Sequence, residues 1–188
     1  MATRPKRKKR LNKNDWMALS MDVLSQEGGA KLNVNNLCLE IGVTKGSFYA
    51  HFKSREDFVS QLATYWAETY TQSVVIAINE LEGSTAEARL LGLMRFLHQK
   101  RSGRFEFAIR AWSAQEPIIA QAVRKIDAQR FDYVQRIFHD MGFRGSELNL
   151  RTSTFVVFHR SEEGMRLPSS RVKADEEIRL RHAFFTRA

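Results

Sequence analysis

The residues best suited to a chemical role lie in one short segment, residues 33–52. Two short predicted helices are joined there by Ile41-Gly42-Val43; the first is apolar at i, i+3, i+4 and i+7, and the second opens with Thr-Lys-Gly-Ser at 44–47. A glycine turn between helices locked by apolar pairs is typical of a helix-turn-helix. Because the second helix begins with free amides, small polar side chains and a lysine, it suits phosphate and the major groove of DNA.

A longer stretch around this segment carries a family resemblance. From Gly42 to Asp57 the chain reads Gly-Val-Thr-Lys-Gly-Ser-Phe-Tyr-Ala-His-Phe-Lys-Ser-Arg-Glu-Asp, which resembles the DNA-binding signature of the tetracycline-repressor (TetR) family. The resemblance extends upstream to Gly28 and covers about residues 12–65, a third of the chain. It implies a sequence-specific transcriptional regulator of the all-α class.

The resemblance also implies which side chains face DNA. Two positions depart from the family pattern: Asn33 stands where threonine is common and is still a competent cap, while Ala50 replaces a larger residue and offers only apolar contact, as to a thymine methyl. Phe48 and Phe52 are expected in the core. The residues expected at DNA are Asn33 and Arg55 at the backbone, and Thr44, Lys45, Gly46, Ser47, Tyr49, Ala50 and His51.

The positive charge of the chain is concentrated at its start. The net charge is +9, yet seven of the 30 basic residues precede the first acid, Asp15, which leaves 23 basic against 21 acidic residues in the rest. Residues 1–11 could be a nuclear-import-like cluster, a solvated tail or a flexible arm that contacts DNA. Since they directly precede the DNA-binding helices, we favour the arm and expect Lys8, Lys9 and Arg10 to contact phosphate.

Deleting residues 1–10 is therefore expected to weaken binding about equally at every DNA sequence. Each phosphate contact that is lost should also reduce the slope of log affinity against log salt by about 0.9. Titrations of one selected and one random duplex at several salt concentrations measure both quantities. An unchanged affinity and salt slope would contradict a DNA-contacting arm.

Several other protein classes are disfavoured by composition. The single cysteine, Cys38, permits neither an internal disulfide nor a cysteine zinc site and favours a reducing cytoplasm. No apolar run approaches the ~18 residues that span a bilayer. The histidines at 98, 139, 159 and 182 are scattered, and no nucleophile motif or phosphate-binding glycine loop occurs. We therefore expect no enzyme, cofactor, metal or membrane partner; an enzyme with an appended helix-turn-helix is the competing class.

Apolar spacings of three and four predict an all-α chain of about nine helices. Caps at Asn33, Thr44 and Ser54 begin three of them, the third running to about Leu81, and Pro117 begins another. A turn is expected at 167–170. We predict a three-helix DNA-binding domain at 12–58 and a helical ligand-binding and dimerisation domain at 59–188.

The second domain is expected, from the resemblance, to sense a ligand and to dimerise. The chain would then be a homodimeric repressor on a palindromic operator, released by a small, largely apolar ligand; alternatively this domain only dimerises or binds a protein partner. The expected pocket residues are Trp66, Tyr70, Met94, Leu97, Phe105, Ile109, Trp112 and Tyr133. The expected dimer interface residues are Phe155, Phe158, His159, Ile178, Arg181, Phe184 and Phe185.

Overall fold

The structure, a computed structural model, describes residues 11–80, 85–100, 103–161 and 173–187. The predicted phosphate contacts Lys8, Lys9 and Arg10 and the predicted turn at 167–170 lie outside these residues. Within them every regular element is helical and no strand occurs, so the all-α prediction is confirmed.

Ten helical segments follow one another along the chain. A π-helical turn at Glu68–Gln72 joins α4 to α5 without a break, so the two form one rod, and the described residues then hold nine helices. The segments are α1 Lys13–Glu27, α2 Val34–Ile41, α3 Lys45–Tyr49, α4 Arg55–Ala67, α5 Ser73–Asn79, α6 Ala86–Lys100, α7 Gly103–Ser113, α8 Pro117–Asp140, α9 Gly145–Ser161 and α10 Ala174–Thr186.

Local signals set the helix boundaries of the N-terminal region. Side-chain oxygens of Asn33, Thr44 and Ser54 accept hydrogen bonds from the backbone amide three residues later, at 2.9, 3.2 and 3.2 Å. Caps of this kind each contribute about 1 kcal/mol. Gly42 ends α2 with φ of 74°, a left-handed conformation that favours glycine. The helix-turn-helix is therefore built where the sequence predicts it.

An aromatic cluster fixes the short helix α3 to its neighbours. Phe48, Phe52, Phe58 and Trp16 are each at most 1% exposed, and their neighbouring rings lie 5.0–5.8 Å apart. A five-residue helix is not stable by itself, so the burial of Phe48 is what holds α3 in place. The expected core positions of Phe48 and Phe52 agree with this packing.

The same core continues into α7 and α8. Trp66, Ile109 and Trp112 are 0%, 0% and 5% exposed and pack with the buried residues of α1, α3 and α4. Gly29, in a 3₁₀ turn after α1, approaches Trp112 so closely that a Cβ there would lie 2.0 Å from the indole Cδ1. These three residues, predicted to line a pocket, instead fill the junction between the DNA-binding helices and the rest of the chain, because their helices meet α1 and α4 on that side.

A second core lies among α5, α6, α8, α9 and α10. Phe155, Ile178 and Phe185, predicted at the dimer interface, are 2%, 7% and 4% exposed here. The Phe155 ring lies 5.2 Å from Phe185 and 6.1 Å from Phe138 of α8. The inward faces of α9 and α10 therefore pack within the chain itself, and these three side chains are not on its surface.

Candidate DNA-binding surface and ligand cavity

Both ends of the short helix α3 are exposed. Thr44, Lys45, Gly46, Tyr49 and Ala50 are exposed, and Ser47 and His51 are half-buried. The Tyr49 ring packs edge-on against Phe48 at 5.3 Å and is 57% exposed. Thr44, Lys45 and Gly46 thus lie at the N-terminus of this short helix and Tyr49 and Ala50 at its other end, an arrangement that can enter a groove and read base edges.

The side chain of Asn33 is hydrogen-bonded to the backbone on both sides of it. Its Oδ1 accepts from the amide of Asn36 at 2.9 Å, and its Nδ2 donates to the carbonyl of Ala30 at 3.2 Å. Both hydrogen bonds orient the start of α2. Asn33 therefore positions α2. Because its half-buried side chain is already hydrogen-bonded, the backbone amides beside it are the groups suited to bind phosphate.

Arg55 has a partner that the sequence did not reveal. Its Nη2 donates to Oε2 of Glu116 at 2.8 Å, across 61 positions of the chain, and the Glu116 side chain is only 10% exposed. Glu116 directly precedes Pro117 at the start of α8, where a negative charge is stabilised by the helix dipole. Arg55, which was predicted to contact phosphate, is thus paired with a residue at the start of α8.

A Glu116→Gln substitution is expected to raise DNA affinity several-fold. The neutral amide holds the Arg55 guanidinium less tightly and removes a negative charge near the phosphates, so Arg55 reaches DNA at lower cost. Fluorescence anisotropy with a selected duplex measures the change. The control is Glu80→Gln, an exposed carboxylate at the end of α5; an affinity for Glu116→Gln at or below that of the control would contradict competition for Arg55.

A cavity of about 350 Å³ lies inside the helical region that follows the DNA-binding unit. Its wall is formed by the π-turn and by α5 to α10. Cavities of this size take small organic ligands. Of the eight predicted pocket residues, Tyr70, Met94, Leu97 and Tyr133 line it; Phe105 is not in the lining, and its ring contacts that of Tyr70 with the centres 5.4 Å apart.

Four residues expected at the dimer interface contribute to this wall: Phe155, His159, Ile178 and Arg181. Sequence spacing showed that α9 and α10 carry apolar faces. It could not show that one of those faces closes a cavity within the same chain. The apolar lining that was not predicted includes Val74, Leu93 and Val134.

Charged side chains form one part of the cavity wall. Glu106 accepts hydrogen bonds from Arg110 and from Arg130, the latter at 2.7 Å, and Arg110 also pairs with Asp127 at 2.6 Å. Arg160 donates to Asp127 at 2.9 Å. Burial alone would raise the pKa of Glu106, but the charges and hydrogen bonds of Arg130 and Arg110 outweigh it and hold the pKa below its ordinary value. Glu106 is therefore ionised at neutral pH.

Arg130 connects the cavity to the first core. Its guanidinium lies 5.4 Å from the Trp66 ring centre, and its Nε donates to Thr71 Oγ1 at 3.0 Å. Its Nη2 reaches the carbonyl of Tyr70 at 3.4 Å. Since a π-turn shifts the helical hydrogen bonds by one residue, Tyr70 and Thr71 can present backbone and hydroxyl oxygens here. One side chain thus contacts the cavity wall, the π-turn and the buried junction.

The outer faces of α9 and α10 carry exposed apolar side chains. Leu150 and Val157 on α9 are 68% and 61% exposed, and Leu180 and Phe184 on α10 are 60% and 72% exposed. Of these only Phe184 was predicted. The predicted residues Phe158 and Arg181 are half-buried, with the guanidinium 4.5 Å from the ring centre.

Among the described residues, no helix has both the length and the apolar character of a membrane span. In the same part of the chain, no three His, Cys, Asp or Glu side chains are grouped as metal ligands would be.

The fold and the exposed α3 surface define an all-helical protein with an N-terminal helix-turn-helix, the class of DNA-binding transcriptional regulators. Comparison with family models agrees: residues 17–62 match the model of bacterial regulatory proteins of the tetR family. The N-terminal part of the chain is thus similar to this family. A search of curated proteins found no match.

Solved structures extend the agreement in fold beyond this domain. The TetR-family transcriptional regulator PfmR from Thermus thermophilus is 15% identical, with a TM-score of 0.67 over 91% of this chain and 96% of its own. A transcriptional regulator from Rhodococcus sp. Rha1 is 16% identical, with a TM-score of 0.66 over 91% of both chains. A TetR/AcrR-family regulator from Thermobifida fusca YX-ER1 is 17% identical, with a TM-score of 0.57 over 92% of this chain and 95% of its own.

Proposed function

We propose that this regulator is a dimeric repressor that leaves a palindromic operator when a small molecule occupies the cavity. The observation that carries the proposal is the position of α7. Arg110 of this helix lines the cavity, while its neighbours Ile109 and Trp112 pack against the DNA-binding helices. A ligand that moves α7 therefore acts on the surface that meets DNA.

The coupling needs only two arrangements of the same chain. A ligand that prefers an arrangement in which the two recognition helices are wrongly spaced for the operator shifts the population away from DNA, by no more than its differential affinity for the two arrangements. The cavity supports this proposal over one in which the second region only dimerises. A cytoplasmic location, as for any protein that acts on a bacterial chromosome, is part of the proposal.

Selection of bound sequences from random DNA with the purified full chain tests DNA recognition directly. We expect enrichment of an inverted repeat, because a twofold dimer presents two equivalent recognition helices. Repeating the binding measurement with ligands found by thermal shift tests release. No enriched sequence would contradict the operator proposal, and ligand binding without a change in DNA affinity would contradict release by that ligand.

A Val157→Glu substitution is expected to weaken the proposed dimer at least tenfold, because it buries a charge in an apolar interface formed by α9 and α10. Sedimentation equilibrium should shift from a dimer toward the 21.8 kDa chain. Leu39→Glu on α2 is the matched control, since Leu39 is 78% exposed and distant in sequence from these helices. A dimer unaffected by Val157→Glu would exclude this face.

A further inference from the structure

The cavity combines an apolar chamber with one charged side. The chamber is bounded by side chains such as Leu93, Met94 and Val134, which are 5%, 1% and 4% exposed. Its volume of about 350 Å³ is roughly twice the ~150 Å³ of a cavity that admits benzene. The apolar part of a ligand of moderate size therefore fits in the chamber. The charges on the other side of the cavity determine which polar group the ligand can carry.

Positive charge is in excess on that side. Arg110, Arg130, Arg160 and Arg181 line the cavity, and Glu106 is the acid among the described lining residues. Two more carboxylates, Asp127 and Glu177, pair with these arginines without being part of the lining. Apart from the Arg181–Glu177 pair, three guanidinium groups thus share two carboxylates, those of Glu106 and Asp127, among the described residues. One positive charge beside an apolar chamber is stabilised by an anion more strongly than it would be in water.

The arginines are held in fixed positions before any ligand enters. Glu106 and Asp127 hold Arg110 from two sides, and Arg130 is fixed by Glu106 and Thr71. Arg160 differs, because the hydrogen bond described for it uses only Nη2, to Asp127, and its side chain is 34% exposed. Its guanidinium carries five N–H donors in a fork that matches a carboxylate.

We infer that the cavity binds a small amphipathic carboxylate, with its apolar body in the chamber and its anionic head on Arg160 beside the Arg110 and Arg130 cluster. This changes the sequence-based expectation of a largely apolar ligand, because the charged residues come from four different helices and meet only in the folded chain. The inference concerns ligand binding and rests on the proposed function only for its effect on DNA.

The head also lies where it can influence the junction with the DNA-binding helices. A carboxylate near the cluster competes with Glu106 for Arg110 and Arg130, and with Asp127 for Arg110. Arg130 touches Trp66 of the first core, and Arg110 shares α7 with Trp112. Binding of an anion therefore acts on the contacts through which the proposed release would occur.

Two pairs of probes separate charge from shape. Isothermal titration of the full chain compares decanoate with decanamide, and 4-phenylbutanoate with 4-phenylbutanamide. Within at least one pair we expect the carboxylate to bind about tenfold or more tightly than the amide, the ratio that one charge-assisted hydrogen bond supports. Equal affinity within both pairs, or no binding in either, would overturn the inference.

Three variants assign the effect to the cavity. Arg160→Gln should reduce the preference for the carboxylate to about threefold or less while the amide binds as before. Arg179→Gln is the matched control, since Arg179 forms a similar Arg–Asp pair, at 2.7 Å to Asp175, outside the cavity. Leu97→Trp should weaken both members of a pair by filling the chamber. Circular dichroism and melting curves confirm that each variant is folded.

The outcomes distinguish this inference from the proposed function. A carboxylate preference that survives Arg160→Gln, or falls equally in Arg179→Gln, overturns the assigned site even if DNA binding and release are intact. A carboxylate preference lost only in Arg160→Gln supports the site even if the selected duplex is not released. DNA release is measured separately, by anisotropy with the same probes.

Discussion

A Gly29→Ala variant is expected to lose about 2–3 kcal/mol of its free energy of unfolding, because overpacking of a filled core costs an amount of this order. The added methyl would stand 2.0 Å from Cδ1 and 2.4 Å from Cγ of Trp112, whose ring is buried and cannot turn aside into solvent. Urea titration followed by circular dichroism measures the difference.

Gly46→Ala provides the comparison for stability. A Cβ at Gly46 meets nothing nearer than Thr44 Oγ1 at 3.7 Å, and alanine favours a helix over glycine by up to about 1 kcal/mol. This variant should unfold at the same or a slightly higher urea concentration than the original chain. If Gly29→Ala and the original chain were equally stable, Trp112 would have to move easily. That result would contradict a tightly packed junction between the DNA-binding helices and the rest of the chain.

A Lys45→Glu variant is expected to bind its selected duplex roughly 100-fold more weakly, because it sets a negative charge against phosphate. Lys45 is the first residue of α3 and is exposed. A cation at a helix N-terminus is unfavourable for the helix itself, whereas glutamate there is favourable. The folded state should therefore be at least as stable, so the loss is assigned to DNA. Anisotropy and urea titration measure the two quantities.

Lys173→Glu is the matched control for this charge reversal. Lys173 is an exposed lysine at the N-cap of α10, so the change at that helix start is the same in kind. DNA affinity should change only a little, through the overall charge. Comparable losses in both variants would show that Lys45 acts through general electrostatics and not through a position in the groove.

The predictable part of the molecule depends on neighbours in sequence. The caps at Asn33, Thr44 and Ser54 and the turn at Gly42 were predicted because each signal and its effect lie within a few residues. The all-α fold and the helix-turn-helix follow from such signals. The exposed positions at the start of α3 also agree with the prediction, while their contacts with DNA remain predictions.

What could not be predicted depends on distant partners. Spacing shows that Trp112 faces inward but not that it meets Gly29 after α1, so it was predicted to line the pocket and not the junction between the two regions. Arg55 pairs with Glu116, which is 61 positions away, and no local sequence pattern predicts that pair. The charged side of the cavity is missed for the same reason: Glu106 and Arg130 acquire a shared role only when α7 and α8 pack.

The π-turn at Glu68–Gln72 has a consequence for the evolution of this chain. It accommodates one residue more than a regular helical turn, so it offsets the angular phase of α5 relative to α4 by about 100°. If this turn became α-helical without a change in length, Val74 and Ile78 would rotate away from the second core while Trp66 kept its place in the first, whereas a deletion of one residue in the turn would leave all three facing their present cores. The two halves of the rod thus pack into different cores, and the extra residue and the π-turn can be gained or lost only together.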